Sequence, residues 1–254
     1  MRKGAELYKG KAKTVYATED PRYLLMHYRD DVSAFDGVKL AKLDLKGETN
    51  NRINAYVMEK LAAAGVPTHF VRLVDERESL VRAMKMIPVE CVVRNVCAGS
   101  MAKRYGVAEG TRLHEPIFEF FYKSDALHDP LCNDDHIRVL GWASTREIAE
   151  MKAMTHKVND VLKPLFAKAG IDLVDYKLEF GHPVDDPQGP LTLGDEFTPD
   201  GCRLWDAATG EKMDKDRFRR DLGKVEEAYQ EVARRLGILI DQGPGDVRGP
   251  TTLQ

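Results

Sequence analysis

The chain is poor in the residues that would staple or metallate it through sulfur. Its 254 residues hold four cysteines, Cys91, Cys97, Cys132 and Cys202, with no CxxC pairing and no cysteine pair joined to a histidine pair at zinc-finger spacing. They read as reduced thiols of a cytoplasmic protein, which excludes a disulfide-built secreted module and a zinc site. No apolar run approaches the roughly 20 residues that span a bilayer, so no membrane partner is expected. The first residues, MRKGAELYKGKAKTVY, lack the apolar centre of a signal peptide. Neither charge sign dominates: 38 Lys and Arg against 41 Asp and Glu leave −3, so no global basic surface recruits nucleic acid. Anionic ligands would need cations clustered locally. The P-loop pattern GxxxxGK[ST], an EF-hand spacing and internal repeats are also missing.

What is present is ordinary for a globular protein, with 43% hydrophobic and 31% charged residues. The length fits one large domain or two closely packed lobes. Residues 171–206 carry the strongest pattern. Val174, Tyr176, Leu178 and Phe180 alternate with Asp175, Lys177 and Glu179, which is a strand with one apolar and one charged face. A Pro/Asp/Gly-rich turn at 181–190 and an apolar run at 191–193 predict a hairpin ending in Gly194-Asp195-Glu196. Glu179 would then approach Asp195 or Glu196, and such carboxylates repel unless a cation lies between them. The plainer reading is a solvated sheet face. The acid-Lys-acid order and the second acidic pair favour a Mg²⁺ and phosphate site.

Residues 7–16 (LYKGKAKTVY) read as a hairpin with a basic tip, where Gly10 admits a phosphate and Lys9, Lys11 and Lys13 supply charge. A charged edge strand is the alternative. Residues 23–29 predict a buried strand and 30–37 (DDVSAFDG) a polar loop. A helix should start at Thr49 or Asn50, bury Ile53, Val57, Leu61 and Ala64, and close at Gly65 and Pro67. Further strands are expected at 68–73 and 79–86. His27 and His69 read as packing or surface residues. In 87–100 (IPVECVVRNVCAGS) a strand runs into a short helix, and Arg94 with Ser100 and free backbone N–H groups would suit a phosphate monoester. An aromatic strand at 117–122 precedes Lys123, Asp125, His128 and Asp129. Lys123 could meet a nucleotide phosphate, and Asp129 a metal or substrate. Residues 144–169 predict the clearest helix, with a capping box of Ser144 and Glu147, kinked or split by Pro164. A last amphipathic helix is expected over 212–237, capped by Asp214, with Phe218, Leu222, Val225, Tyr229, Val232 and Leu236 inward. The tail, 241–254, should be mobile or draped over the surface.

In this combination the segments resemble the SAICAR synthetase family of purine biosynthesis. The resemblance runs from ELYKGKAKTVY at 6–16 to EEAYQEVARRLG at 226–237. IPVECVVRNVCAGS and LVDYKLEFG (173–181) are its most specific stretches. SAFDG, KSDALHDP, LGDEFTPDGCRLWD and KMDKDRFR support them in the expected order. The hairpin tip HPVDDPQGP is longer than in many relatives and the Gly/Pro tail departs from them; neither removes a motif residue.

That resemblance implies an α+β fold of two lobes. Residues 1–86 would form a kinase-like antiparallel β lobe with one helix, 87–240 an ATP-grasp-like α+β lobe with a C-terminal helix, and 241–254 a tail. It implies a ligase joining 5-amino-1-(5-phosphoribosyl)imidazole-4-carboxylate (CAIR) to L-aspartate, with ATP cleaved to ADP and phosphate through an acyl phosphate. Mg²⁺ would be the cofactor and a homodimer the assembly. Gly10, Lys11, Lys13, Lys85, Met86 and Lys123 would meet ATP, and Glu179 and Asp195 would bind Mg²⁺. Arg94, Ser100 and Arg203 would grip the ribose phosphate of CAIR. Asp175 and Lys177 would line the imidazole site, with Asp129 near the substrate carboxylate. Ser33, Asp36, Lys215 and Arg217 are the candidates for aspartate. A small-molecule kinase that stops after phosphoryl transfer, and a sensor that binds without turnover, are the rival readings.

Overall fold

The computed structural model describes residues 2–34 and 38–240. Asp36 and the expected tail at 241–254 lie outside the described residues. The first elements are β1 (Lys3–Lys9), β2 (Lys13–Thr18), β3 (Tyr23–Tyr28), β4 (Asp31–Ala34), β5 (Lys39–Lys42) and α1 (Lys46–Ala63). Then come β6 (Phe70–Leu73), β7 (Glu78–Arg82), β8 (Met84–Val96), α2 (Gly99–Tyr105), β9 (Arg112–Tyr122), β10 (Leu131–Cys132) and α3 (Asp134–Val139). The chain continues with α4 (Thr145–Lys168), β11 (Ile171–Pro183), β12 (Thr192–Gly194), β13 (Cys202–Asp206), α5 (Asp216–Arg219) and α6 (Val225–Arg235).

This is an α+β fold with two main antiparallel sheets among the described residues. The first has the order β1-β2-β3-β7-β6, the second β10-β9-β8-β11-β12 with β13 also on β11. The alternating strand is central to the second sheet. One edge of β11 pairs with β8, while the other takes β13 along its first half and β12 along its second. Its apolar row, Val174, Tyr176, Leu178 and Phe180, is buried as the period-two pattern requires. Val89, Cys91 and Val93 of β8 join the same core, which α1 and α4 cover with Ile53, Val57, Leu61, Met151, Val158 and Leu162. Each such fully buried aliphatic side chain contributes about 1.5–3 kcal/mol. The capping box of α4 is present: Ser144 Oγ accepts from Glu147 N at 3.2 Å, and Glu147 Oε2 accepts from Ser144 N at 2.7 Å.

Four local expectations change. The run 30–37 holds a strand, because β4 and β5 pair as a ribbon and Val32 and Ala34 pack on Phe218, Val225 and Tyr229. Helix α1 starts three residues early, at Lys46, whose buried ammonium pairs with Asp200 at 2.5 Å, and Ala64 is its exposed C-cap. Pro164 does not split α4, which runs on to Lys168 with the proline on its exposed face. The last helix is two, α5 and α6. Between them Asp221, Gly223 and Lys224 take left-handed φ of 55°, 67° and 51°, which breaks the helical path and leaves Leu222 exposed. Among the described residues no helix is long and apolar enough to cross a membrane.

Candidate active-site cleft

A cleft of about 1080 Å³ is lined from both sheets. Strand register builds its floor. Since Val89, Cys91 and Val93 enter the core, Glu90, Val92 and Arg94 of β8 fall on the cleft side. The same parity brings Asp175, Lys177 and Glu179 of β11 to that side. In register, Asp175 stands between Arg94 on β8 and Arg203 on β13, and Glu179 stands opposite Glu90.

Two acids directly opposite would repel, and lysines resolve this. Lys177 Nζ lies 2.8 Å from Glu90 Oε1, 3.0 Å from Glu179 Oε1 and 3.7 Å from Asp195 Oδ2. Lys123 pairs with Glu179, and Lys13 pairs with Asp195 and lies 3.6 Å from Glu196. Burial alone would depress the Lys177 ammonium, but Glu179, Asp195 and Glu90 outweigh it and hold it well above the usual lysine range. Burial would likewise raise the Asp195 carboxyl, yet Lys13, Lys177 and Lys123 hold it far below the usual range. Glu179 goes the other way, raised by burial and by Asp195. Asp195 takes a left-handed φ of 55° and Asp129 one of 46°, a backbone state that Asp tolerates better than most residues.

The other end of the floor is an arginine row. Arg94 Nε donates to Glu119 Oε2 at 2.6 Å, Nη1 to Asp175 Oδ2 at 3.0 Å and Nη2 to Ser100 Oγ at 3.2 Å. Arg203 Nη1 also donates to Asp175, and its Nε donates to Asp216 at 2.8 Å. Arg104 and Arg219 extend the row through Glu119 and Asp216. A third, apolar end is lined by Val15, Leu24, Met26, Val81, Met84 and Met86. Above it the β1–β2 turn is closed by Gly10 N donating to Lys13 O at 2.9 Å. Arg29 pins that turn through Gly10 O and Thr14 Oγ1, both at 2.7 Å.

The structure thus brings Gly10, Lys11, Lys13, Met86, Arg94, Ser100, Lys123, Asp129, Asp175, Lys177, Glu179, Asp195, Arg203 and Lys215 to one cleft. Lys85, Ser33 and Arg217 lie outside its lining. Lys85 is exposed, Ser33 is buried within β4, and Arg217 spends its guanidinium on Glu211 and on the carbonyls of Lys212, Leu222 and Gly223. Sequence reading missed Glu90, Glu119, Arg104, Asp200 and Arg219. Glu90 was legible in part, being four residues from Arg94 on the same face of one strand. His69 is more than packing, since its buried Nε2 donates to Asp195 O at 2.8 Å. Among the described residues no three His, Cys, Asp or Glu side chains group to hold a metal. Glu179 and Asp195 are two of several carboxylates lining the cleft, and both lie within 4 Å of Lys177 Nζ.

The SAICAR synthetase family model matches residues 6–236. The chain is 63% identical to the phosphoribosylaminoimidazole-succinocarboxamide synthase of Hahella chejuensis, over 94% of this chain and 99% of that protein. The crystal structure of the corresponding synthase from Ehrlichia chaffeensis matches with a TM-score of 0.91 at 43% identity, covering 93% of this chain and all of that one. A SAICAR synthetase solved in complex with ADP matches with a TM-score of 0.87 at 44% identity, covering 91% of this chain and 97% of that chain.

Proposed function

The chain belongs to the SAICAR synthetase family, carbon–nitrogen ligases of purine biosynthesis, and on that premise we propose that it joins CAIR to L-aspartate while ATP is cleaved to ADP and phosphate. One observation carries the assignment to this cleft: a lysine-carboxylate cluster and an arginine row lie on one strand floor, separated by two rungs of β11. The first suits a polyphosphate, the second a phosphate monoester.

A carboxylate is a poor acyl donor, because its charge repels an amine and oxide cannot leave. In the proposed reaction the CAIR carboxylate oxygen attacks the γ-phosphorus of ATP, and ADP leaves. The aspartate amine then attacks the acyl carbon, the C–O bond breaks and phosphate departs with the electron pair. The amine proton passes to a phosphate oxygen, a substrate carboxylate or water. Gly10, Lys11, Lys13 and Lys123 would hold the ATP phosphates, with adenine at the apolar end beside Met86. Arg94, Ser100 and Arg203 would anchor the ribose phosphate, while Asp175 and Lys177 orient the imidazole and Asp129 the carboxylate. Lys215 is the retained candidate for aspartate; it is nine-tenths buried, opens on the cleft and makes no ion pair with a described residue.

Mg²⁺ fits Glu179 and Asp195, because the ion is commonly held by one or two carboxylates plus substrate phosphates. The upward push on Glu179 from burial and Asp195 also marks a negative charge that a cation would relieve. When bound, Mg²⁺ supplies charge neutralisation to the phosphates. The family premise further supports two lobes, 1–86 and 87–240, flanking the nucleotide, and a homodimer that sedimentation would test.

The deciding experiment supplies ATP, Mg²⁺ and CAIR with and without L-aspartate. Ligation requires SAICAR and ADP in equal amounts when aspartate is present. A stable phosphorylated product accumulating without aspartate would establish the kinase reading instead.

A further inference from the structure

Arg203 is held on three sides. Its Nε donates to Asp216 Oδ2 at 2.8 Å, and its Nη1 reaches both oxygens of Asp175, at 3.0 and 3.3 Å. Asp216 is fixed in turn, accepting from Arg219 Nη1 at 2.7 Å and donating its backbone N–H to Asp214 Oδ1 at 2.7 Å. The third side is bare backbone. A Cβ at Gly99 would overlap Arg203 Nη2 and stand 2.6 Å from Cζ and 2.9 Å from Nη1. The guanidinium therefore rests on the Cα of Gly99. Its Nη2 corner, which donates to no described residue, lies beside the residue that precedes Ser100. Ser100 Oγ in turn accepts from Arg94, and Arg94 shares Asp175 with Arg203.

We propose that Gly99 is a positioning residue for Arg203: its missing side chain lets the free Nη2 corner stand with Arg94 and Ser100 as one donor set for a phosphate monoester. This rests on the reading of Arg203 as an anchor of the CAIR ribose phosphate. The obstructing atoms belong to the far end of a flexible side chain. A substituted residue 99 is thus accommodated by moving Arg203 rather than by unfolding the sheet. The fold survives and the donor set does not.

Gly99 also has a left-handed φ of 57°, so an alanine there is strained whatever it touches. The same helix supplies the control. Gly106, its C-cap, has a φ of 65° and open space around a Cβ. Gly106→Ala carries the same kind of backbone penalty without reaching Arg203.

The test is calorimetric binding of CAIR and, separately, of ATP to wild type, Gly99→Ala, Gly106→Ala, Arg203→Lys and Gly99→Ala/Arg203→Lys. Gly99→Ala should weaken CAIR about tenfold, the worth of one charge-assisted hydrogen bond, with ATP binding unchanged. Gly106→Ala should change CAIR binding by less than about twofold, and Gly99→Ala should add less than about twofold once Arg203 is lysine. Equal weakening by Gly99→Ala and Gly106→Ala overturns the proposal, as does a full Gly99→Ala effect in the Arg203→Lys background. Wild type that binds CAIR while Gly99→Ala binds it equally well overturns the Gly99 proposal alone. Wild type that binds no CAIR overturns the substrate reading beneath it.

Discussion

At one end of the cleft the cations are lysines: Lys13, Lys123 and Lys177 share Glu90, Glu179, Asp195 and Glu196. At the other they are arginines: Arg94, Arg104, Arg203 and Arg219 share Glu119, Asp175 and Asp216. An ammonium is a point charge that accepts any partner within reach, and Lys177 Nζ has three within 4 Å. A guanidinium is a planar fork that commits each nitrogen, and Arg94 commits Nε, Nη1 and Nη2 to three different residues. The lysine end can re-sort its charges when a polyphosphate and a cation arrive. The arginine end is set before any ligand enters. The proposed ligation, which would transfer one phosphoryl group while holding another still, would use both kinds.

The contrast is tested most severely by stability. Arg94 is 4% exposed, and removing it leaves Glu119 and Asp175 buried with less counter-charge. Arg94→Ala should cost about 3–5 kcal/mol of unfolding free energy in urea titration. Lys123, with its side chain 45% exposed, should cost less than about 1 kcal/mol as alanine. Equal costs would erase the distinction between a preset and an exchangeable end. Activity should rank the two ends differently. Lys177→Ala and Glu179→Gln should each lose about two to three orders of magnitude in kcat, with far-UV circular dichroism unchanged. A rate within a few-fold of wild type would remove both from the reacting end.

How far this contrast could be read from the sequence depends on the range of the contacts. The alternation 174–180 and its two faces are local, and β11 shows them as expected. Arg94, Ser100 and Lys123 were legible because a strand end or a turn carries each. The shared acids were not. Glu119 meets Arg94 only because β9 flanks β8, and Asp216 meets Arg203 across 13 residues that fold back from β13. The same holds for β4. Its apolar residues, Val32 and Ala34, are two, and the fully buried residues they pack against lie beyond position 217. The break before α6 passes through left-handed Asp221, Gly223 and Lys224; of these Gly223 alone carries a residue-type signal, and a lone glycine inside a helical pattern does not by itself end a helix. Sequence period revealed faces; only strand register revealed partners.

The two ends also carry opposite pH signatures in one window. At the lysine end His69 is pushed down from 6.5 to about 4, by burial and then by Lys13. Its unfolded form takes a proton near pH 6.5, its folded form only near 4. The stability it contributes is present above 6.5 and is lost as pH falls toward 4, by about 3 kcal/mol. At the arginine end Asp214 is pushed up from 3.8 to about 7, by burial and then by Asp216. Its folded form keeps a proton that the unfolded form releases, so its contribution is present below 3.8 and is lost as pH rises toward 7. The two slopes oppose each other between pH 4 and 6.5. His69→Gln, which keeps a donor for Asp195 O, should leave a protein that gains stability on acidification through that window. Asp214→Asn should leave one that loses it. Urea midpoints at pH 4.5, 5.5 and 6.5 read both slopes, and parallel curves for the two variants would show that neither group governs them.

The smallest expected effect lies within the lysine end itself. Lys11 and Lys13 flank one residue of the same turn, yet the Lys11 side chain is 49% exposed and Lys13 is 14% exposed. Both are proposed to meet ATP phosphates, so they separate charge from burial at nearly constant position. An exposed ammonium acts through solvent and is screened over a Debye length, about 3 Å at 1 M salt against about 10 Å at 0.1 M. Lys11→Ala should therefore raise the KM for ATP about three-fold at low salt and hardly at all near 1 M. Lys13→Ala should raise it far more, by a factor that salt changes little, because Asp195 and Glu196 lose a buried partner along with the nucleotide. Steady-state ATP titrations at the two ionic strengths distinguish them. A salt-independent Lys11 effect would mean that the turn closes over the nucleotide and buries both lysines, which would extend the preset character of the arginine end to the tip of the phosphate loop.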